Sequence, residues 1–214
     1  MKVRLAFPVC ATLLLKGFFM NRLALLGGIL ALTAPLALAQ TSTQTSTWTP
    51  DPAHCDVSFS VVHMSLSRVR GHFGPITGKI VLDQADISKS SVDVSIDVSG
   101  VDTGDGMRDT DLKGPNFFNV AQFPRANFVS TSVAKAPGGL AVSGNLTLHG
   151  VTKPIVLQVD GPTGPITGMD QKEHEGFSAT TTINRTDFNI ALGYPDKIVG
   201  DQIDLTIDMD IVRQ

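Results

Sequence analysis

The run IDLTIDMDI, residues 203–211, alternates apolar and polar side chains without a break. A period of two residues places the apolar side chains on one face of a β-strand and the polar ones on the other. Strands with one apolar and one solvated face are typical of antiparallel sheets. The same alternation runs through 92–99, 140–148, 155–159 and 177–183. The pattern therefore predicts an all-β protein.

Three further segments raise the strand count to about eight: 57–63, 125–133 and 68–82, the last as one long bent strand or as two. Glycine and proline are frequent between these segments, which indicates tight connections. About eight short amphipathic strands favour a closed barrel or a β-sandwich. An eight-stranded barrel is either filled by its own side chains or encloses one small ligand.

One segment, 105–120, lacks the alternation and predicts a short helical insertion. It contains two adjacent aromatic residues, Phe117 and Phe118. Aromatic side chains at the end of a barrel can close its mouth over an apolar ligand. A helix that packs its own apolar face onto the barrel end is an equally good interpretation, and the two are compatible.

The N-terminus has the features of an export signal. Residues 1–39 hold four basic and no acidic residues, and 23–32 form an apolar stretch interrupted only by two glycines. Ala37 and Ala39 are small residues of the kind that signal peptidase recognises, so cleavage is predicted between Ala39 and Gln40. Met20 by itself opens a complete signal peptide and is an alternative start. A retained membrane anchor is disfavoured because the apolar stretch is short.

After the signal, QTSTQTST at 40–47 contains no apolar side chain and predicts a flexible leader, so that the folded domain covers 48–214. Cys55 is the single cysteine of that domain and has no internal disulfide partner. Together these features predict a periplasmic or secreted protein.

Charge excludes one class of partner. Residues 40–214 carry 13 basic and 20 acidic side chains (17 minus 4, against 20), a net charge of −7. Binding to nucleic acid requires basic groups that replace condensed counterions, so no nucleic-acid partner is expected.

The sequence contains no nucleophile elbow, phosphate-binding glycine loop or paired-cysteine metal motif. The five histidines, at 54, 63, 72, 149 and 174, lack the i,i+2 or i,i+4 spacing of common ligand pairs. A metal site would have to be assembled from distant segments. We therefore predict no catalytic residue, no metal site and no cofactor.

Four motifs resemble the YceI-like family, in the same order along the chain: HCDVSFSVVHMSLSRVRGHFGPITGKI (54–80), DLKGPNFFNVAQFP (111–124), GNLTLHGVTKP (144–154) and INRTDF (183–188). The resemblance extends from Trp48 to near the C-terminus. It implies an eight-stranded, antiparallel, lipocalin-like barrel that is exported and binds a polyisoprenoid or another long-chain amphiphile. The chain departs from the family pattern at Cys55, where serine is common, and at Asp111, where histidine is common.

In this interpretation the inward apolar stripes hold the lipid tail, Phe117 and Phe118 close over it, and His63 or Arg70 meets a polar head group. A core histidine bonded to the backbone remains the alternative for His63, and a structural pair with a carboxylate for Arg70. The predicted ligand-binding residues are Val57, Phe59, Val61, His63, Arg70, Phe73, Ile96, Val98, Phe117, Phe118, Phe128, Leu146, Leu148, Leu205 and Ile207.

The expected partner is thus a long-chain lipid, held for transport, storage or protection, with transient membrane contact for lipid exchange and with a homodimer as one oligomeric state. Two other functions remain open. One is a structural or stress-protective exported barrel that binds no ligand. The other is an enzyme of isoprenoid quinone metabolism, which would need a polar constellation inside the cavity that the sequence does not reveal.

Overall fold

The computed structural model describes residues 45–214. They form eleven strands and one α-helix, with three short 3₁₀ helices at Ile87–Lys89, Val98–Gly100 and Arg185–Phe188. The elements are β1 Thr45–Pro50, β2 Asp56–His63, β3 Ser67–His72, β4 Ile76–Asp83, β5 Ser91–Asp97, α1 Gly106–Lys113, β6 Arg125–Ala136, β7 Gly139–Leu148, β8 Val151–Asp160, β9 Ile166–Thr167, β10 Glu173–Asn184 and β11 Val199–Arg213.

Eight of the strands close into an antiparallel barrel in the order β1, β4, β5, β6, β7, β8, β10 and β11, and β11 pairs with β1 to complete the ring. The predicted all-β, eight-stranded antiparallel barrel is confirmed. The segment 68–82 forms two strands, β3 and β4, and not one long bent strand. Closure leaves the eight wall strands without a free edge, which removes the tendency of open sheets to pair with other chains.

The longest strand, β11, pairs with two different strands along the same edge. Its last residues pair with β1, where Trp48 lies opposite Arg213, and its earlier residues pair with β2, where Phe59 lies opposite Leu205. The hairpin β2–β3 therefore extends the barrel wall past the end of β1. The register shifts between Val199 and Ile203, a bulge that bends the strand at this end.

The apolar side chains predicted by the alternation face the interior. Trp48 is 1% exposed and Ile211 is fully buried, and both belong to one continuous cluster of core residues. Gly144 on β7 lets the ring of Phe128 lie close to the backbone, because a Cβ at that position would stand 2.4 Å from the ring. Small residues of this kind give the large inward side chains room to pack.

The predicted helical insertion is confirmed as α1. The carboxylate of Asp105 accepts hydrogen bonds from the backbone N–H groups of Met107 and Arg108, both at 3.1 Å, and so caps the first turn. These bonds, the one from Arg108 foremost, lower the pKa of Asp105. The helix ends at Lys113, before Gly114 and Pro115, and the chain then presents Phe117 and Phe118.

The folded domain begins three residues earlier than predicted. Thr45, Ser46 and Thr47, assigned to the flexible leader, form the start of β1, because Thr45 to Trp48 pair with Asp83 to Ile80 of β4. Polar side chains are accommodated there, since the buried Ser46 hydroxyl accepts a 2.7 Å hydrogen bond from the indole N–H of Trp48. The predicted signal peptide, residues 1–39, and the leader residues 40–44 lie outside the described residues.

Candidate functional site: an apolar cavity inside the barrel

The barrel contains an apolar cavity of about 190 Å³. Of its 38 lining residues in the described chain, 36 are apolar, and Ser90 and Arg185 are the two exceptions. On β11 the lining runs from Val199 near the start of the strand to Ile211 near its end. That span is about 40 Å of strand, or roughly 30 Å along a barrel axis from which strands tilt by about 40°. The cavity therefore runs along most of the barrel.

Thirteen of the fifteen predicted binding residues line this cavity. They come from five strands and three connecting segments, because the alternation directs every second side chain of the neighbouring strands inward. These residues are Val57, Phe59, Val61, Phe73, Ile96, Val98, Phe117, Phe118, Phe128, Leu146, Leu148, Leu205 and Ile207.

The two polar residues of the prediction, His63 and Arg70, do not line the cavity. His63 ends β2 beyond Val61, the last lining residue of that strand, and is exposed. Arg70 lies opposite Ser60, between the inward positions 59 and 61, so that it belongs to the outer face. The structure therefore places His63 past the end of the cavity and Arg70 on the outer face, and contact of either residue with a head group stays a prediction.

Phe117 and Phe118 close one end of the cavity through aromatic contacts. The ring of Phe117 lies 5.3 Å from that of Tyr194, and the ring of Phe118 packs edge-on against Phe73 at 5.5 Å. Phe73 in turn lies 5.1 Å from Phe59 on β2. Side chains of the insertion, of the hairpin β2–β3 and of the loop before β11 thus meet over the cavity. We refer to this end as the mouth.

Arg185 is the charged residue of the lining, and the prediction missed it. Its side chain is 3% exposed, and its guanidinium donates to five backbone carbonyls, those of Ile190, Ala191, Tyr194, Val199 and Gly200. It also forms a 2.7 Å ion pair with Asp201. With its donors engaged in this way, Arg185 fastens the loop at the mouth and is not free to bind a head group. The INRTDF motif marked the residue, but alternation could not reveal its role.

The far end of the barrel holds a second buried charged residue. Glu175 shares the inward face of β10 with Phe177 and Ala179 and is 2% exposed. One carboxylate oxygen accepts a 3.3 Å hydrogen bond from the amide of Gln84, and the other has no partner among residues 45–214. Burial raises the pKa of Glu175. The cause is the loss of hydration on burial, which disfavours the charged form of the carboxyl group.

Among residues 45–214, no helix combines the length and apolar character needed to cross a bilayer.

A closed antiparallel β-barrel around an elongated apolar cavity defines the chain as a lipocalin-like barrel. The sequence profile of the YceI-like domain matches residues 48–211. The chain belongs to the YceI-like family.

Known proteins agree with this assignment. Protein YceI of Salmonella newport is 36% identical over 167 residues, which are 75% of this chain and 83% of the relative. The crystal structure of BcnA from Burkholderia cenocepacia superposes with a TM-score of 0.65 at 25% identity, covering 75% of this chain and 98% of BcnA. A polyisoprenoid binding domain from Saccharophagus degradans shares the fold at a TM-score of 0.57 and 14% identity, covering 78% of this chain and 98% of that domain.

Proposed function

We propose that this protein is exported and holds a polyisoprenoid or a similar long-chain amphiphile in its cavity, for transport, storage or protection. The observation that carries the proposal is the apolar cavity along the barrel axis, in which 36 of 38 lining residues are apolar. A barrel filled by its own side chains, the structural alternative, would lack this space. The polyisoprenoid binding domain of Saccharophagus degradans, which has the same fold, supports the ligand class.

Burial of the lipid tail supplies the binding energy without covalent chemistry. At about 25 cal/mol per Å² of apolar surface, a chain that buries roughly 400 Å² gains about 10 kcal/mol. The cost of ordering the chain and of association reduces that gain. The lining offers Ser90 and Arg185 as polar side chains, and Arg185 is committed to backbone carbonyls. Such a wall suits a carrier better than an enzyme, which needs convergent polar groups at a reacting atom.

We propose that lipid enters and leaves at the mouth. Four apolar residues are exposed there: Met64 at 49%, Leu66 at 84%, Leu192 at 62% and Tyr194 at 38%. We call them the apolar rim. The turn that carries Met64 is joined to the loop before β11, because the N–H of Met64 donates to the carbonyl of Ile198 at 2.9 Å. Exposed apolar side chains beside the opening would contact the bilayer from which a membrane lipid is withdrawn.

Export through the predicted signal peptide is the remaining part of the proposal. The intact mass of the protein purified from its native host should correspond to a chain that begins at Gln40, because Ala37 and Ala39 fit the cleavage site. A cytoplasmic location with an uncleaved N-terminus would contradict export, and it would leave the cavity and its ligand to be tested separately.

A variant that fills the cavity tests the ligand site directly. Ala179 is buried on the inward face of β10, and Thr180 is exposed on the outer face beside it. Ala179→Trp should abolish competition between a polyprenol and a fluorescent long-chain fatty acid, whereas Thr180→Trp should leave it unchanged. Equal competition in both variants, with the β-sheet circular dichroism spectrum retained, would show that the lipid binds outside the barrel.

A further inference from the structure

Four titratable side chains from three separate segments meet on the outer surface of the barrel, away from the cavity. Asp51 and His54 lie in the connection between β1 and β2, His174 lies on β10, and Asp210 lies on β11. Nδ1 of His54 is 2.9 Å from Oδ2 of Asp51, and Nδ1 of His174 is 2.8 Å from Oδ1 of Asp210. Ligand atoms of Asp51, His54 and Asp210 all lie within 4.8 Å of one another.

Further hydrogen bonds from the backbone and from side chains hold this part of the chain together. The N–H of Asp51 donates to the carbonyl of Asp210 at 2.8 Å, and the thiol of Cys55 donates to the same carbonyl at 3.2 Å. The Oδ1 atom of Asp51 accepts the N–H of Ala53 at 2.9 Å, which directs Oδ2 toward His54. A connection anchored at both ends is the kind of support that keeps metal ligands in place.

Charge at this position favours a cation. Asp170 lies 3.1 Å from Nε2 of His174, so three carboxylates surround two imidazoles. In the described chain, the ion pairs of Asp51, Asp170 and Asp210 are formed with these histidines and not with lysine or arginine. When the imidazoles are neutral, the carboxylates lack a fixed positive partner.

We infer that Asp51, His54 and Asp210 form a surface site for a divalent transition-metal cation of the zinc type. One imidazole and two carboxylates are ligands that Zn²⁺ accepts at about 2.0–2.2 Å, and three protein ligands leave a position for water. The side chain of His54 is 68% exposed and is free to rotate onto the metal. His174 orients Asp210 from behind, in the manner of an outer-sphere partner.

The site joins the β1–β2 connection to β11. A bound cation would therefore stabilise the barrel wall where the partner of β11 changes from β1 to β2. It lies outside the lipid cavity, and its ligands are distinct from the cavity lining. Metal binding here is therefore independent of the proposed lipid function. The sequence spacing predicted no metal site, because residues 51, 54 and 210 come together only through the pairing of β1 and β2 with β11.

The chain supplies a matched control. His72 and Asp56 form another exposed imidazole–carboxylate pair, with 2.7 Å between Nδ1 and Oδ1, but within residues 45–214 no third ligand completes a cluster with them. A pair without a third ligand should bind Zn²⁺ only weakly. If zinc affinity falls in variants of the cluster and not in a variant of His72, zinc binds at a specific site and not to surface histidines in general.

The test is calorimetric titration of the chelator-treated protein with ZnCl₂. We expect one Zn²⁺ per chain, with affinity at least tenfold lower in Asp51→Asn and in His54→Gln and unchanged in His72→Gln. Co²⁺ should give visible absorption bands in the wild type that His54→Gln removes. These variants should fold, since Asn retains the oxygen that accepts the Ala53 N–H, and His54 is exposed. The absence of a stoichiometric zinc site, or equal losses in His54→Gln and His72→Gln, would overturn the inference.

Discussion

The aromatic ring of Phe117 lies 5.3 Å from that of Tyr194, with 33° between their planes, and so connects the helical insertion to the loop before β11. Phe118 makes the matching contact on the other side with Phe73. A backbone hydrogen bond of 3.0 Å from the N–H of Ala191 to the carbonyl of Asn116 also joins this loop to the insertion, and the space over the cavity is closed by the aromatic side chains. Closure of this kind can open by rotation of a few rings while the barrel wall stays intact.

Replacement of both Phe117 and Phe118 by alanine should speed the release of bound lipid. Each aromatic pair contributes about 0.5–1.5 kcal/mol beyond its buried area, so we expect dissociation to be roughly tenfold faster or more. The fold should persist because the rings belong to the connecting segment and not to a barrel strand. Stopped-flow release of a fluorescent fatty acid measures the rate, and Val129→Ala on the outer surface is the control. An unchanged rate would remove both residues from the lipid site.

Arg185 should be a stability residue. Arg185→Met would leave five backbone carbonyls without their donor and Asp201 without its partner, at a cost of roughly 3–5 kcal/mol of unfolding free energy. Arg68→Met is the control, since its pair with Asp204 is exposed and should contribute little. Urea unfolding compares the variants. A stable Arg185→Met protein with weakened binding of lipids with anionic heads only would instead make Arg185 a head-group ligand.

Glu175 should make stability fall as the pH rises. Burial raises the pKa of its carboxyl above the usual 4.5, so the folded state retains a proton that the unfolded state has already lost. Folding then takes up a proton, and its favourable free energy decreases as the pH rises from the unfolded pKa through the folded one. Glu175→Gln should remove this loss and gain roughly 1–3 kcal/mol at neutral pH, with little difference in acid.

Urea titrations of wild type and Glu175→Gln across this pH range provide the measurement. Glu173→Gln is the control on the same strand, because Glu173 is more exposed and pairs with Arg213. A Glu175→Gln variant that is less stable at neutral pH would show that the ionised carboxylate is required by the fold.

The apolar rim should govern exchange with membranes and not affinity. Leu66→Asp and Leu192→Asp place charge on exposed positions, so binding of a soluble polyene probe should be unchanged. Transfer of a labelled polyprenol from phosphatidylethanolamine–phosphatidylglycerol vesicles should slow several-fold, because burial of these side chains in the interface is lost. Val156→Asp, an exposed apolar position on β8, is the control. Equal transfer rates in all variants would place lipid exchange elsewhere.

The sequence predicted the wall of the cavity better than its polar features. Alternation is a property of each strand by itself, so inward residues such as Val57, Ile96 and Leu205 could be assigned without knowledge of the pairing. His63 does not line the cavity because the cavity ends before the strand does. The role of Arg185 depends on backbone carbonyls of residues 190–200, which lie in a loop that folds back over its side chain. A periodic pattern of apolar residues carries no information about the path of that loop.

The polar groups at the far end were missed for a similar reason. Glu175 lies on the inward face of β10, but its neighbours Phe177 and Ala179 dominate the alternation, and its partner Gln84 is 91 residues away. Strand β1 began earlier than expected because pairing with β4, and not apolar composition, defines its first residues. Long-range pairing therefore accounts for most of what local pattern could not supply.

Native mass spectrometry of the protein purified from its own host, followed by solvent extraction, is the most direct test of the carrier function. We predict one bound lipid per chain, and extraction should identify it as a polyisoprenoid or another long-chain amphiphile. The Ala179→Trp variant, purified in the same way, should carry none. A wild-type protein that is free of lipid when isolated and remains free after incubation with polyprenols, quinones and fatty acids would contradict the proposal, and the barrel would then be a structural protein with an empty interior.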